Sequence, residues 1–131
     1  MPSFQSLTVN DRATTPVAHT FVPRSLEGGV GTLVEVNGTP IGERMFTISL
    51  RKVGPKYKGR LVLKNPVVVN ETINGVVVPK VARTAFASLD LSFDESSSEQ
   101  ERKDTVGLLA NSLAAAVVVV NDSFTKLEGL Y

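Results

Sequence analysis

Arg44–Asn70 reads RMFTISLRKVGPKYKGRLVLKNPVVVN. It holds seven basic residues (Arg44, Arg51, Lys52, Lys56, Lys58, Arg60, Lys64) and no acid, half of the chain's 14 Lys and Arg. Two runs with strand character, Phe46–Leu50 and Arg60–Lys64, flank a turn at Val53-Gly54-Pro55. Side chains alternate between the faces of a strand. Paired as a hairpin, the runs therefore place Thr47, Ser49 and Arg51 beside Arg60, Val62 and Lys64. A sheet face carrying cations and hydroxyls suits a phosphate backbone.

The charge around this stretch is strongly segregated. Net charge is only +1, yet Asp90–Asp104 carries six of the 13 acids. A phosphate backbone responds to charge within a Debye length of about 8 Å, so the local excess matters more than the net value. The 131 residues suffice for one domain, and 42% apolar with 21% charged residues is ordinary for a folded protein. There is no cysteine, which excludes disulfides and thiolate metal sites. MPSFQSLTVNDR lacks a basic and an apolar segment, so no secretory signal is expected. The longest apolar run, Leu113–Val120, is well short of the roughly 20 residues that span a bilayer. The expectation is a soluble chain with no membrane partner.

Outward from the basic stretch, strand signals dominate the first 93 residues. Phe4–Val9 alternates, Asn10-Asp11-Arg12 reads as a turn, and Thr14–Val22 as a second strand kept to a sheet edge by Pro16. Val30–Val36 is the third strand, and Asn37-Gly38 a hairpin turn. Arg44–Arg51 and Tyr57–Asn65 follow, then a Pro66–Pro79 loop whose tip is Asn74-Gly75, then a long strand over Lys80–Phe93. Beyond that the period changes. Ser97 or Ser98 with Gln100 or Glu101 makes a capping box, and Val106, Leu109, Leu113 and Ala116 recur at helical spacing. One helix is expected from about Ser98 to Ala116. A second, over Phe124–Leu127, is capped by Asn121-Asp122-Ser123 and ended by Gly129. Strands followed by helices define an α+β class. One helix and a stub cover only part of such a sheet, and its last strand leaves an open edge. Two chains pairing edge to edge and exchanging helices would remove both problems.

Little here suggests catalysis. With one His and no Cys, no nucleophile–base pair, phosphate loop or metal-ligand spacing is present, so no enzyme, cofactor or metal is expected. His19 reads as a surface or hydrogen-bonded strand residue, and Asp94-Glu95 as the acidic lead into a helix. Phe86 shares parity with Ser88 and Asp90, opposite to Ala85, Ala87 and Leu89, which puts it on the polar side. The bland reading of the basic hairpin is a solvated sheet face. A second alternative is a cellular single-stranded nucleic-acid binder built on a β-platform, for which Phe46 and Tyr57 are the other candidate aromatics.

The ordered set Val9-Asn10-Asp11, His19-Thr20-Phe21-Val22-Pro23, Phe46-Thr47-Ile48-Ser49-Leu50-Arg51, Pro66…Asn74-Gly75…Pro79, Arg83-Thr84-Ala85-Phe86 and Gly129-Leu130-Tyr131 resembles the coat proteins of the single-stranded RNA bacteriophages. HTFVPR and PIGERMFTISLRK make it most similar to the Pseudomonas-infecting branch. The resemblance implies one coat-protein domain over 1–131, with an N-terminal hairpin (1–22), a five-stranded antiparallel sheet (30–93, including the 66–79 loop) and helices (97–128). It implies an intertwined homodimer with one continuous sheet, assembled in the bacterial cytoplasm into an icosahedral virion around genomic RNA. It also implies an RNA stem-loop bound on the inner sheet face to repress replicase translation. By that resemblance the RNA-facing residues are Thr47, Ser49, Arg51, Lys58, Arg60, Val62, Lys64, Phe86 and Ser88. Val62 stands where relatives usually have a cation, and Phe86 where they have Tyr. Asn74, Gly75 and Pro79 would belong to the assembly loop around the symmetry axes, with Pro79 at a position where the X-Pro bond can switch isomer.

Overall fold

Six antiparallel strands in sequential order make the sheet: β1 (Leu7–Asn10), β2 (Ala18–Glu27), β3 (Val30–Val34), β4 (Met45–Val53), β5 (Lys56–Ile73) and β6 (Val76–Asp94). Two helices follow, α1 (Glu99–Ser112) and α2 (Val118–Thr125). The computed structural model describes residues 3–36 and 40–130, so the expected Asn37-Gly38 turn lies outside the described residues. A short 3₁₀ turn, Pro40–Gly42, precedes β4. The chain forms two compact units, Met1–Ser92 and Phe93–Tyr131.

Turn chemistry explains the meander. Gly28 and Gly29 both take positive φ (58° and 78°) between β2 and β3, as do Asn74 and Gly75 (52° and 79°) between β5 and β6. A two-residue turn of that kind matches the right-handed twist of the flanking strands. Gly54, with φ 60°, occupies the first position of the β4–β5 turn, and Pro55 fills the second. The Asn74-Gly75 tip therefore behaves as expected, but the loop around it does not. Pro66–Pro79 is a continuous two-stranded ribbon formed by the ends of β5 and β6. Its valine runs, Val67–Val69 and Val76–Val78, are β-branched and favour the extended chain. Pro66 sits beyond Lys64, the last β5 residue paired with β4, where a missing N–H costs no bond to that neighbour.

The N-terminal hairpin is displaced from its expected register. Asp11 Oδ1 accepts from the N–H groups of Ala13 (3.1 Å) and Val17 (3.0 Å), and Asp11 N–H donates to Val17 O (3.0 Å). This closes a wide turn over residues 11–17, so Thr14–Pro16 are turn rather than strand and β2 begins at Ala18. Leu7↔Phe21 and Val9↔His19 set the β1–β2 register. Phe4 does not pair as strand. Its ring covers Gly31, where an added Cβ would lie 2.7 Å from Phe4 Cε2. β2 then continues past Pro23, where the register shifts, to pair with β3.

Phe21, Leu33 and Val34, with Pro66 on β5, are the buried apolar side chains among the described residues. Phe21 meets Phe46 edge to face at 4.7 Å. Ile48 and Leu50 on the sheet, and Leu108, Phe124 and Leu127 in the helical unit, are half or more exposed. Exposed apolar surface of this kind marks an interaction surface.

In the helical unit Ser98 caps α1, its Oγ accepting from Glu101 N–H at 3.2 Å. Glu99 pairs with Lys103 and Gln100 donates to Asp104, both one turn apart. α1 ends at Ser112, short of Ala116, because the last turn tightens: Leu113 N–H donates to Ala110 O and Ala114 N–H to Asn111 O. α2 starts at Val118, six residues before the expected Phe124, with no side-chain cap. Asn121, Asp122 and Ser123 lie inside it rather than before it.

Candidate nucleic-acid interface

The β4–β5 register fixes one face residue by residue. Thr47 lies opposite Val62, Ser49 opposite Arg60, Arg51 opposite Lys58, and Met45 opposite Lys64. Directly paired residues point to the same side of a sheet. Thr47, Ser49, Arg51, Lys58, Arg60, Val62 and Lys64 therefore share one face. β3 extends it, with Thr32 opposite Thr47 and Val30 opposite Ser49, and β2 adds Glu27 opposite Val30.

β6 closes the other side. Arg60 Nε lies 3.8 Å from Asp90 Oδ1, while a Cβ on Gly59 would meet Leu50 and Leu91 on the reverse side. Asp90 is thus on the polar face and Leu91 on the apolar one. The alternation carries Phe86 and Ser88 to the side of Asp90. Phe86 is 71% exposed. The face is a shallow hollow with a cavity volume of about 760 Å³, floored by Thr47, Ser49 and Val62 and rimmed by Arg51, Lys58, Arg60 and the Gly28-Gly29 turn. Arg51, Lys58, Arg60 and Lys64 are exposed, whereas Thr47, Ser49 and Val62 are half-buried.

The seven basic residues of the stretch do not act together. Lys52 pairs with Tyr57 on the apolar side and sits 5.7 Å from its ring centroid. Arg44 is committed elsewhere, its Nη1 donating to Glu35 (2.6 Å) and its Nε to Asn65 (2.8 Å). Asn74, Gly75 and Pro79 are remote from the hollow, in the β5–β6 ribbon, and the bond before Pro79 is trans.

Sequence reading put Asp90 on the polar side without counting it among the site residues, and missed Glu27 and the Gly28-Gly29 turn as parts of this surface. Asp90 was available from its parity with Phe86 and Ser88. Glu27 was not, because its position depends on two successive strand registers.

The model of the levivirus coat protein family matches residues 2–131. This chain belongs to the levivirus coat protein family. This coat protein is 45% identical over 128 residues to the capsid protein of Pseudomonas phage PRR1, covering 97% of this chain and 98% of that one. It is 28% identical over 130 residues to the capsid protein of Escherichia virus Qbeta, covering 97% and 87%. Among solved structures, the bacteriophage GA protein capsid matches with a TM-score of 0.83 at 26% identity over 98% of both chains. An unassembled bacteriophage coat protein dimer, titled as an RNA-binding dimer, matches with a TM-score of 0.73 at 21% identity over 98% of both chains, a likeness of fold. The curled antiparallel sheet with two helices is thus the coat-protein fold. This coat protein is a structural component of the virion, not an enzyme.

Proposed function

We propose that this capsid protein pairs into a homodimer, assembles as an icosahedral shell around genomic RNA, and binds an RNA stem-loop on its polar sheet face to repress replicase translation. In this reading residues 1–131 act as one coat-protein domain whose apolar sheet face and helices are covered by a second copy. Exposed Ile48 and Leu50 on one unit, and Leu108, Phe124 and Leu127 on the other, are the surfaces a partner would bury. Asn74, Gly75 and Pro79 sit in the ribbon that would gather around the symmetry axes.

The observation that carries the RNA reading is the one-sided register of Thr47–Val62, Ser49–Arg60 and Arg51–Lys58. The cations rim a floor of hydroxyls, which suits phosphates outside and base or sugar edges within. Phe86 offers an exposed π-face, and stacking on such a ring contributes roughly 1–3 kcal/mol per base. Val62 contributes shape and no charge. Lys64 and Ser88 extend the track beyond the hollow. A cellular β-platform binder would show the same face without forming particles.

The test uses the chain expressed alone, with a stem-loop selected on it from a randomised RNA pool. RNA-filled icosahedral particles, and weaker stem-loop binding by Thr47→Ala and Phe86→Ala with assembly intact, are the expected results. A stable monomer contradicts the shell reading. Unchanged affinity in both variants contradicts the face.

A further inference from the structure

His19, the chain's single histidine, lies on β2 opposite Val9 and is held at both ring nitrogens. Nε2 is 2.8 Å from Asp11 Oδ2, and Nδ1 is 2.5 Å from Glu35 Oε2. Asp11 belongs to the turn after β1, and Glu35 follows β3. Glu35 Oε1 accepts from Arg44 Nη1, and Arg44 Nε donates to Asn65 on β5. The chain of contacts thus runs from the N-terminal hairpin across the sheet. It is partly shielded: the side chains of His19 and Glu35 are 21% and 15% exposed.

A neutral imidazole has one N–H, but two carboxylates ask for two donors. We infer that His19 is a charged clamp: as an imidazolium bridging Asp11 and Glu35, it fastens the β1–β2 hairpin to the sheet, and loss of its proton loosens that hairpin and destabilises the coat on the alkaline side.

The charges facing His19 from every neighbouring element favour this state on balance. The hydrogen bond to Asp11, then that to Glu35, raise its pKa above 6.5, against shielding from solvent and the nearby Arg44 cation. Both carboxylates stay ionised. The Val17 N–H, followed by His19 and Ala13, lowers Asp11 to about 2. Burial pushes Glu35 up, but hydrogen bonds from Arg44 and His19 outweigh it and leave it below its ordinary value. The clamp's stabilisation is therefore complete below pH 6.5 and is lost as pH rises through the raised value for His19. Above it, one ring nitrogen turns a lone pair toward a carboxylate. Asp11 keeps its two backbone donors and Glu35 keeps Arg44, so the link fails while its ends survive.

With one histidine, solid-state ¹⁵N spectra of histidine-labelled particles report this residue alone. Both ring nitrogens in the imidazolium range at pH 6, and a midpoint above 6.5, are expected. A midpoint at or below 6.5 overturns the clamp. Thermal melting from pH 6 to 9 reads the consequence. The unmodified particle should lose melting temperature with rising pH, while His19→Gln starts lower and stays flat until the two curves meet. Equal pH slopes overturn it. If His19→Gln does not assemble, Asp11→Asn retains the histidine and should shift its ¹⁵N midpoint downward; an unmoved midpoint overturns the bridge.

Discussion

Arg44 and Arg60 come from one acid-free stretch, and the sheet treats them in opposite ways. Arg44 is drawn into a shielded network, 2.6 Å from Glu35 and 2.8 Å from Asn65. Arg60 stands 61% exposed, facing an even more exposed Asp90 at 3.8 Å. An exposed pair of that length is worth little and exchanges readily for another anion, whereas a shielded, hydrogen-bonded pair is costly to break. Positive charge in the sequence thus divides into a structural part and a part available to a ligand, and only the register separates them.

The sharpest way to break this contrast is Arg44→Ala. It removes one of Glu35's two partners, His19 remaining, and takes from Asn65 the Arg44 donor, and a loss of about 1–2 kcal/mol is expected, moderated by the partial exposure of Arg44, with no direct effect on RNA contacts. Denaturant midpoints of the assembled and dissociated protein would measure it; a change confined to RNA affinity would reverse the assignment. Phe86→Ala tests the ligand side. Its stem-loop affinity should fall by about 1–2 kcal/mol, the lower part of the stacking range for so exposed a ring, while melting stays unchanged. Arg51→Ala should lower the slope of log affinity against log salt by about one phosphate contact. Smallest is Asp90→Asn. Freeing Arg60 from an exposed carboxylate should tighten stem-loop binding by less than about 1 kcal/mol, visible as a few-fold change in Kd.

Much of the fold was legible because local chemistry specifies it. The paired φ values at Asn74 and Gly75, the Gly54-Pro55 turn and the Ser98 cap each depend on residues within a few positions. The face of Thr47, Ser49, Arg51, Arg60 and Val62 was legible from strand alternation alone. The shared fate of the seven cations was not. Arg44 is tied to residues 9 and 21 positions away, and no local pattern announces them. His19 was readable as a hydrogen-bonded strand residue, but its second carboxylate comes from beyond β3. Start-of-strand errors trace to Asp11, whose side chain widens a turn that composition suggested was tight. The early start of α2 was hidden because Val118-Val119-Val120 has weak helix propensity and no cap residue precedes it. The Pro66–Pro79 segment was expected as a loop around Asn74-Gly75, when its valine runs set an extended ribbon.

The central claim is that one face of the β4–β5 hairpin carries RNA and the other does not. Arg60→Gln and Lys52→Gln remove one positive charge each from the same hairpin, on opposite faces. Stem-loop affinity of the two variants, measured side by side in one buffer, separates the faces. The account predicts a loss of at least about tenfold for Arg60→Gln, equal to about 1.4 kcal/mol, and a change within about twofold for Lys52→Gln. Equal losses, or a larger loss for Lys52→Gln, would contradict it.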